Sequence, residues 1–389
     1  MAFGDSTAIV GIGWTAFTRN SGTTVLNLAA EAALNAIADA GLQPRDIDGL
    51  ITYRFFDDTV LPAEVAQALG LQDLGFSSCD TQGGGWSCAA VLLASMAVHA
   101  GMCRNVLVYR AMNGRSEIGA LRRTRPGAAI RAAQYTVPFG AAHAAASLGQ
   151  LATAHMARYG TTSLDFAHLA VTQRQHALVN RKAVMREALS IDEHQASPWF
   201  IYPFRRLDCC LETDNAVALV VTSSERASDL PQAPVLIMAG TGGTGTAAGL
   251  DTSNGVYAAK RLYASAGITP KDLSFAQLYD PFTFICMLHM EDFGLVPKGE
   301  VGAWVRSGAN GLDGQTPANT SGGQLSEAYV HGLNQVVEAV QQLRPGGVAD
   351  DLCSGPHSYD RAECRQVRDA RLGLVCGELG GSALVLRAA

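Results

Sequence analysis

The chain has 389 residues, of which 48% are hydrophobic and only 16% charged, with a net charge of -6. That length suits two or three domains around a large core, and the acidic balance argues against a nucleic-acid partner, because contacts to a phosphate backbone need a basic surface. Its start lacks the basic-then-apolar pattern of a leader, and no apolar run reaches the roughly 20 residues of a membrane span, so a cytoplasmic protein is expected. The nine cysteines (Cys79, Cys88, Cys103, Cys209, Cys210, Cys286, Cys353, Cys364 and Cys376) form no CxxC spacing, so neither a zinc site nor a disulfide framework is expected.

Ala8–Gly13 reads as a first buried strand. The Ala- and Leu-rich run from Val25 to Ala40 reads as a helix closed by Gly41, a residue suited to the left-handed end of a helix. A Leu-Gln-Pro-Arg-Asp-Ile-Asp turn then leads into a strand at Gly49–Tyr53. This passage has a second copy: Ala40-Gly-Leu-Gln-Pro-Arg-Asp-Ile47 matches Ala266-Gly-Ile-Thr-Pro-Lys-Asp-Leu273, 226 residues later, and the same offset lays Tyr53 over Tyr279. The repeat implies two related α/β halves, residues 1–232 and 233–389, joined near Pro231–Pro234.

Each half has a glycine turn before a helix. In the first, Thr81-Gln-Gly-Gly-Gly-Trp-Ser-Cys88 opens a helix to Ala100 that is apolar nearly all round and so belongs in the centre of the molecule. A strand at Asn105–Tyr109 follows. Residues 114–200 break the alternation and read as an inserted loop subdomain over a cleft, with helices at Gly149–Tyr159 and Leu164–Leu178. Its Arg115, Arg122, Arg123, Arg125 and Arg131 are candidates for phosphate pairing, although a solvated charged face is the commoner outcome. Asp208 and Asp214 read as braces for the insert before a strand at Ala216–Thr222. In the second half, Ser321-Gly-Gly leads towards a helix whose Val330, Leu333, Val337 and Val340 recur at helical spacing, so one face is expected to be buried. The start of such a helix presents unpaired N–H groups that favour negative charge, and Tyr329 is expected beside it. A capped amphipathic helix with a solvent-facing tyrosine is the plain alternative. Leu372–Gly381 and a strand at Ser382–Leu386 close the chain.

Taken together, these segments resemble the thiolase superfamily over essentially the whole chain, in the branch of sterol-carrier thiolases and lipid-transfer-like proteins. Ser321-Gly-Gly-Gln-Leu-Ser-Glu-Ala-Tyr-Val-His-Gly332 resembles SGGLLSKGHPLGATG, Gln277-Leu-Tyr-Asp-Pro-Phe282 resembles the segment carrying NEAF or HDCF, and Leu374-Val-Cys-Gly-Glu-Leu-Gly-Gly381 resembles the CxGGG loop. The resemblance implies a five-layered αβαβα thiolase fold: two mixed sheets, a central pair of buried helices and the inserted subdomain. It also implies a homodimer through the edge strand near Asp80–Gly83, an edge otherwise left unpaired.

The departures carry the function. The position of the nucleophilic cysteine falls on Gly84, or on Gly85 with a one-residue slip. Tyr329 stands at the histidine, Tyr279 at the Asn or His, and only Cys376 survives. Without a thiolate no acyl-enzyme forms, and Cys88 lies a full helical turn further on. This pattern, with the Tyr109-Arg-Ala-Met-Asn-Gly-Arg-Ser116 stretch, resembles the steroid side-chain-cleaving acyl-CoA aldolases of bacterial steroid degradation, in which two tyrosines form the catalytic pair. That resemblance implies a lyase that cleaves a 17-hydroxysteroid side-chain acyl-CoA by retro-aldol chemistry to a 17-ketosteroid and propionyl-CoA. It implies no cofactor beyond the coenzyme A of the substrate, and a partner with an OB fold and zinc ribbon associated with a hydratase. The rival readings are a non-catalytic lipid-transfer or scaffold protein and an acyltransferase using Cys376 or Cys88.

On the aldolase reading, one of Tyr279 and Tyr329 is the base and the other the acid. A phenol titrates near pH 10, so a base role needs its pKa lowered. Asp280 is an alternative base or the orienter of a neighbour, and Cys376 is either catalytic or a small buried residue. Backbone groups of Gly83, Gly84 and Gly85 and of the Gly377–Gly381 loop, with Gly380, are expected to cradle the thioester oxygen. Gly322, Gly323 and His331 complete the substrate-binding set, although His331, two residues past Tyr329, also suits a structural role. Gly84 is expected to leave room for a bulky substrate. His289 and Glu291 lack further ligands in register, so no metal is expected.

Overall fold

The computed structural model describes residues 4–117, 134–141, 144–243, 245, 249–345, 361 and 364–389. In chain order these form β1 (Thr7–Trp14), α1 (Val25–Asp39), β2 (Gly49–Tyr53), α2 (Pro62–Leu69), β3 (Phe76–Asp80), α3 (Ser87–His99), β4 (Asn105–Asn113), α4 (Ala144–Tyr159), α5 (Ser163–Leu178), α6 (Ile191–Ala196), β5 (Trp199–Ile201), β6 (Phe204–Arg205), β7 (Asp214–Ser223), α7 (Ser224–Ala227), β8 (Val235–Gly242), α8 (Gly255–Ala266), β9 (Phe275–Leu278), α9 (Thr283–Asp292), α10 (Val301–Arg306), α11 (Gly323–Ser326), α12 (Leu333–Leu343), β10 (Leu372–Cys376) and β11 (Ser382–Ala388).

The large sheet runs β3-β2-β4-β7-β1-β8-β11-β10-β9. Its first-half part is mixed: β2 is parallel to β3 and β4, while β7 is antiparallel to β4 and β1. The second-half part is mixed too, with β10 parallel to β9 and β11 antiparallel to β8 and β10. The two expected sheets therefore exist, but they are joined at their inner edges by two residue pairs, Ala8↔Leu236 and Ile9↔Val235. The joint falls where β8 begins, directly after Pro231–Pro234.

Helix α1 packs on β1, β7 and β4. The glycines of β1 permit that approach: a Cβ on Gly11 would lie 2.1 Å from the Ala36 carbonyl oxygen, and one on Gly13 would lie 2.3 Å from the Ala36 nitrogen. Helices α3 and α12 touch each other and strands of both halves, as the central layer requires. On the far side, α8 covers β8 and β11. The repeat is visible in the backbone. Gly41 and Gly267 both end helices with positive φ, and the carboxylates of Asp46 and Asp272 accept from the Gln43 and Thr269 backbone N–H at 2.8 and 2.7 Å.

Helix α12 departs from expectation in two ways. It begins at Leu333, after Gly332 at φ +87°, so Tyr329 lies in the preceding loop rather than at the helix start. It is also buried on every face, not one. Its polar residues face partners inside the protein: Gln335 donates to the Leu278 carbonyl at 2.6 Å, and Glu338 pairs with Arg365 at 2.6 Å. A polar stripe on a helix looks the same in sequence whether water or buried groups lie opposite.

Within the insert, α5 packs on α9, α10 and α11 of the second half. Asp208 ties the two together by accepting from His194 Nε2 at 2.9 Å and from Thr283 Oγ1 at 2.8 Å. Asp214 accepts from the backbone N–H groups of Ser21, Arg115 and Ser116. Arg115 pairs with Glu212 on the surface at 3.0 Å, while Arg122, Arg123, Arg125 and Arg131 lie outside the described residues. Cys364 is disulfide-bonded, which the cysteine spacing did not signal, and Cys79, Cys88, Cys103, Cys209, Cys210, Cys286 and Cys376 are free. Among the described residues no helix is long and apolar enough to cross a membrane.

Candidate active site

Tyr279 follows the last residue of β9, at the end of the sheet where α9 begins. Its backbone is clamped on both sides. Asn319, at φ +50°, accepts from the Leu278 N–H at 2.6 Å and donates to the Leu278 carbonyl at 2.9 Å. His289, which burial keeps neutral by lowering its pKa to about 4, donates from Nδ1 to the Tyr279 carbonyl at 3.1 Å. Tyr329 comes from the loop between α11 and α12. Thr213 Oγ1 accepts from its N–H at 2.9 Å and also bonds its carbonyl at 3.1 Å.

The two phenol oxygens meet at 3.0 Å. Tyr279 is fully buried, whereas Tyr329 is only partly so. Burial first, then the neighbouring Tyr329 and Glu378, hold the Tyr279 phenol well above its usual pKa. Removing a charge from water is costly, so burial favours the neutral hydroxyl, and either phenol can donate in the contact between them.

Gly84 explains how the pair fits, and corrects the expectation of free room there. A Cβ at Gly84 would lie 2.1 Å from the Tyr279 hydroxyl oxygen and 2.2 Å from Cζ. The tip of the phenol occupies the volume of the missing side chain. Further along the ring, a Cβ at Gly332 would come within 2.8 Å of Cδ2. The ring is thus packed against two glycines, and the space left by the absent side chain of residue 84 is filled by the Tyr279 phenol.

The remaining expected residues divide into those at the pair and those behind it. Gly83, Gly84 and Gly85 form a tight turn against the Gly377–Gly381 loop, fastened by Ser382 Oγ donating to the Gly85 carbonyl at 2.7 Å. Asp280 faces away from the base role. Its oxygens accept from the Gln324 N–H at 3.0 Å and from Gln335 Nε2 at 2.9 Å, with the Leu325 N–H at 3.4 Å. It therefore caps α11 and orients the turn, although burial raises its pKa to about 7. Gly322 and Gly323 are buried in that turn: a Cβ on Gly323 would sit 2.2 Å from an Asp280 oxygen, and one on Gly322 would sit 2.7 Å from Ala177. Gly380, at φ +67°, is pressed against the backbone of Gly255. These three glycines shape the walls; they do not present an open binding surface.

His331 sits edge-on to the Tyr329 ring, with centroids 4.9 Å apart. Behind it, buried Arg110 reaches both His331 Nδ1 and Asp58 Oδ2 at 2.6 Å. An arginine cannot give up its proton, so Nδ1 is the accepting nitrogen and the arginine holds the ring. Asp58→Asn is expected to cost about 3–5 kcal/mol by leaving a buried guanidinium without its counter-charge. Thermal denaturation of the variant reads this, and an unchanged melting temperature would refute the buried ion pair.

The surviving cysteine is a poor nucleophile. Cys376 and Cys88 are buried, and burial pushes both thiols up, Cys88 to about 12. Cys88 Sγ is turned to the Val375 carbonyl at 3.5 Å. Treatment of the folded protein with iodoacetamide is accordingly expected to leave turnover unchanged; loss of activity together with alkylation of Cys376 or Cys88 would restore the thiol reading.

Reading the residues alone missed several parts. Thr213 and Asp58 come from distant segments and carry no local signature, whereas Asn319 and Arg110 lay in stretches already singled out but with no role read for them.

Fold and pocket together define a class: a layered α/β protein of thiolase architecture in which two phenols meet where a reactive thiol is absent. Residues 238–353 match the thiolase C-terminal domain-like family. The steroid side-chain-cleaving aldolase of Thermomonospora curvata is 41% identical over 367 residues, covering 89% of this chain and 93% of that protein. The 17-hydroxy-3-oxo-4-pregnene-20-carboxyl-CoA lyase of Mycobacterium tuberculosis is 42% identical over 355 residues, covering 87% and 91%. The solved structure of the Ltp2-ChsH2(DUF35) aldolase superposes with a TM-score of 0.89 at 38% identity, over 99% of this chain and 98% of that one. Human mitochondrial 3-ketoacyl-CoA thiolase, at 12% identity and a TM-score of 0.69, shares the fold. The chain belongs to the steroid side-chain-cleaving aldolase family of the thiolase superfamily.

Proposed function

We propose that the protein is a carbon-carbon lyase that cleaves a steroid side-chain acyl-CoA bearing a hydroxyl on the β carbon, at position 17 of the steroid. The observation that carries the reading is the contact between the Tyr279 and Tyr329 hydroxyls at 3.0 Å. In a retro-aldol cleavage one proton leaves the hydroxyl and one arrives at the enolate carbon. The thioester carbonyl is the electron sink, so no covalent intermediate and no thiol are required. Buried Tyr279 is the proton donor to that carbon. Tyr329, on the more open side, bonds to it and meets the hydroxyl. Backbone N–H groups of the Gly83–Gly85 turn and the Gly377–Gly381 loop are suited to the thioester oxygen.

When the departing acid carries one methyl branch, the products are a 17-ketosteroid and propionyl-CoA. Coenzyme A enters as part of the substrate and no other cofactor takes part. A partner of the DUF35 type, with an OB fold and zinc ribbon and linked to a hydratase, is part of this reading, supported by the likeness to the Ltp2-ChsH2(DUF35) aldolase. A homodimer across β3 is supported by its place at one end of the sheet, where an unpaired strand edge invites another strand. The reading places the protein in the cytoplasm, where coenzyme A thioesters are handled.

Incubation of the full chain, with and without such a partner, with a 17-hydroxysteroid acyl-CoA tests the reaction. Release of ketosteroid and propionyl-CoA in equal amounts is expected. Binding of the thioester without any cleavage would favour a lipid carrier instead.

A further inference from the structure

The tyrosine pair accounts for the reacting atoms but not for the rest of the substrate. A steroid thioester carries a rigid, apolar four-ring body on the carbon that bears the hydroxyl. That body has to leave water next to the phenols, and burying apolar area is the main source of its affinity. A surface suited to it is apolar, flat and open to solvent in the free protein.

Such a surface lies beside the pair. Residues 54–58 follow β2 and are tied to the Gly83–Gly85 turn: the Gly83 N–H donates to the Arg54 carbonyl at 3.1 Å, and a Cβ on Gly83 would lie 3.1 Å from Phe55 Cδ2. Two adjacent phenylalanines stand here, Phe55 at 41% and Phe56 at 66% exposure. Their rings touch, with centroids 4.5 Å apart. A chain of ring contacts leads inwards from Phe55. It meets His331 edge-on at 6.0 Å, His331 meets Tyr329 edge-on at 4.9 Å, and Tyr329 meets Tyr279 through the hydroxyls at 3.0 Å. Phe55 is therefore two ring contacts from the phenol on the more open side of the site.

The arrangement is costly for the fold itself. Phe56 is held at φ +57°, a left-handed conformation unfavourable for a bulky residue and easy for glycine. Its ring is nevertheless large, apolar and mostly in water. Backbone strain persists where the surroundings impose it, and here they include the catalytic loop. Buried Asp58 accepts from the Phe55 N–H through Oδ1 at 2.9 Å and from Arg110 through Oδ2 at 2.6 Å, and the same guanidinium holds His331 Nδ1 at 2.6 Å. One carboxylate thus fixes the aromatic loop and, through Arg110, the histidine that Tyr329 rests against.

We propose that Phe55 and Phe56 form the wall that receives the steroid ring system and are specificity-determining residues of the lyase, setting its preference for a polycyclic substrate. The inference rests on the lyase reading above and deepens it. With the substrate hydroxyl at Tyr329, the ring body runs past His331 to Phe55 and lies across Phe56. Aromatic rings suit the task because each offers a large apolar area in a fixed shape. Asp58 keeps that wall in register with the phenols.

The test compares two thioesters: a 17-hydroxysteroid acyl-CoA, and an analogue in which a hydroxylated cyclopentane replaces the four-ring body. Both present the same reacting atoms. The readout is the ratio of their kcat/KM values for wild type, Phe56→Gly, Phe55→Leu and Phe56→Tyr, using the full chain with any partner that turnover requires. Phe56→Gly is expected to lower the preference for the steroid by about 5–30-fold, from the area of one largely exposed phenylalanine. Phe55→Leu should lower it by a smaller factor, and Phe56→Tyr, which keeps the ring, should retain most of it. Phe56→Gly should melt no lower than wild type, because glycine relieves the left-handed strain. A second measurement omits catalysis: the 17-ketosteroid is titrated into the same proteins, and its Kd should rise in Phe56→Gly.

An unchanged ratio in Phe56→Gly, or both thioesters slowed alike, overturns the proposal. So does a Phe56→Gly protein that melts lower and changes its oligomeric state, since the ring is then an interface between copies of the chain. A wild type that binds the ketosteroid through Phe56 but cleaves neither thioester overturns the lyase reading and leaves the aromatic wall standing.

Discussion

Tyr279→Phe and Tyr329→Phe are each expected to reduce kcat by about 10²–10⁴-fold while the protein stays folded. Each substitution deletes one oxygen of a contact only 3.0 Å long and keeps the ring. On the lyase reading proposed above, Tyr279→Phe removes the proton donor to the enolate carbon. Tyr329→Phe takes away the hydrogen-bond partner of a fully buried hydroxyl, at about 1–3 kcal/mol in stability and with a loosened position for the donor. Because the two phenols act as one unit, the double variant should be little worse than either single one. Steady-state rates of the three variants, with circular dichroism as the fold control, make the comparison. Near-normal turnover in both single variants would remove the pair from the mechanism, and multiplicative losses would show that the hydroxyls act independently.

Gly84→Ala is expected to be as damaging as removing the phenol. The added methyl would be placed 2.1 Å from the Tyr279 oxygen and 2.4 Å from Cε2. The ring has little freedom to adjust, because it is fully buried. Overpacking of this kind typically costs about 1–3 kcal/mol, and relief requires moving the one atom that must stay in place. The expected result is a lower melting temperature and a loss of turnover of at least about 10²-fold. Gly84→Ala with Tyr279→Phe should stay destabilised, since the ring carbons still collide. Gly84→Ala with Tyr279→Ala should regain thermal stability but not activity. A Gly84→Ala protein as stable and active as wild type would show that the phenol does not fill this space. For the same reason, placing a cysteine at position 84 should not bring back acyl-enzyme chemistry while Tyr279 is present.

Much of this architecture is written locally. The helix-to-strand turn at Pro44–Asp46 recurs at Pro270–Asp272 because a proline, an aspartate that caps the backbone, and a glycine at positive φ make the same turn wherever they occur. The apolar run of α3 could only be central, and it lies between strands of both halves. The two tyrosines could be found because they stand in motif segments whose usual residues are different. The strand ends moved by a few residues, as at β4, which extends to Asn113.

Other properties depend on segments far apart in the chain. That the space at Gly84 is filled by a phenol is visible only once Tyr279, almost 200 residues later, is folded against it. The same holds for Asp280, open between base and orienter in the sequence, whose oxygens accept from the backbone of α11. The order of residues is sufficient for turns, periodicity and the absence of a thiol at position 84, since these are short-range properties of the chain. Which polar groups are satisfied, which are desolvated and which two oxygens touch are set by long-range packing, because solvation and hydrogen bonding depend on every neighbour and not only on the adjacent ones.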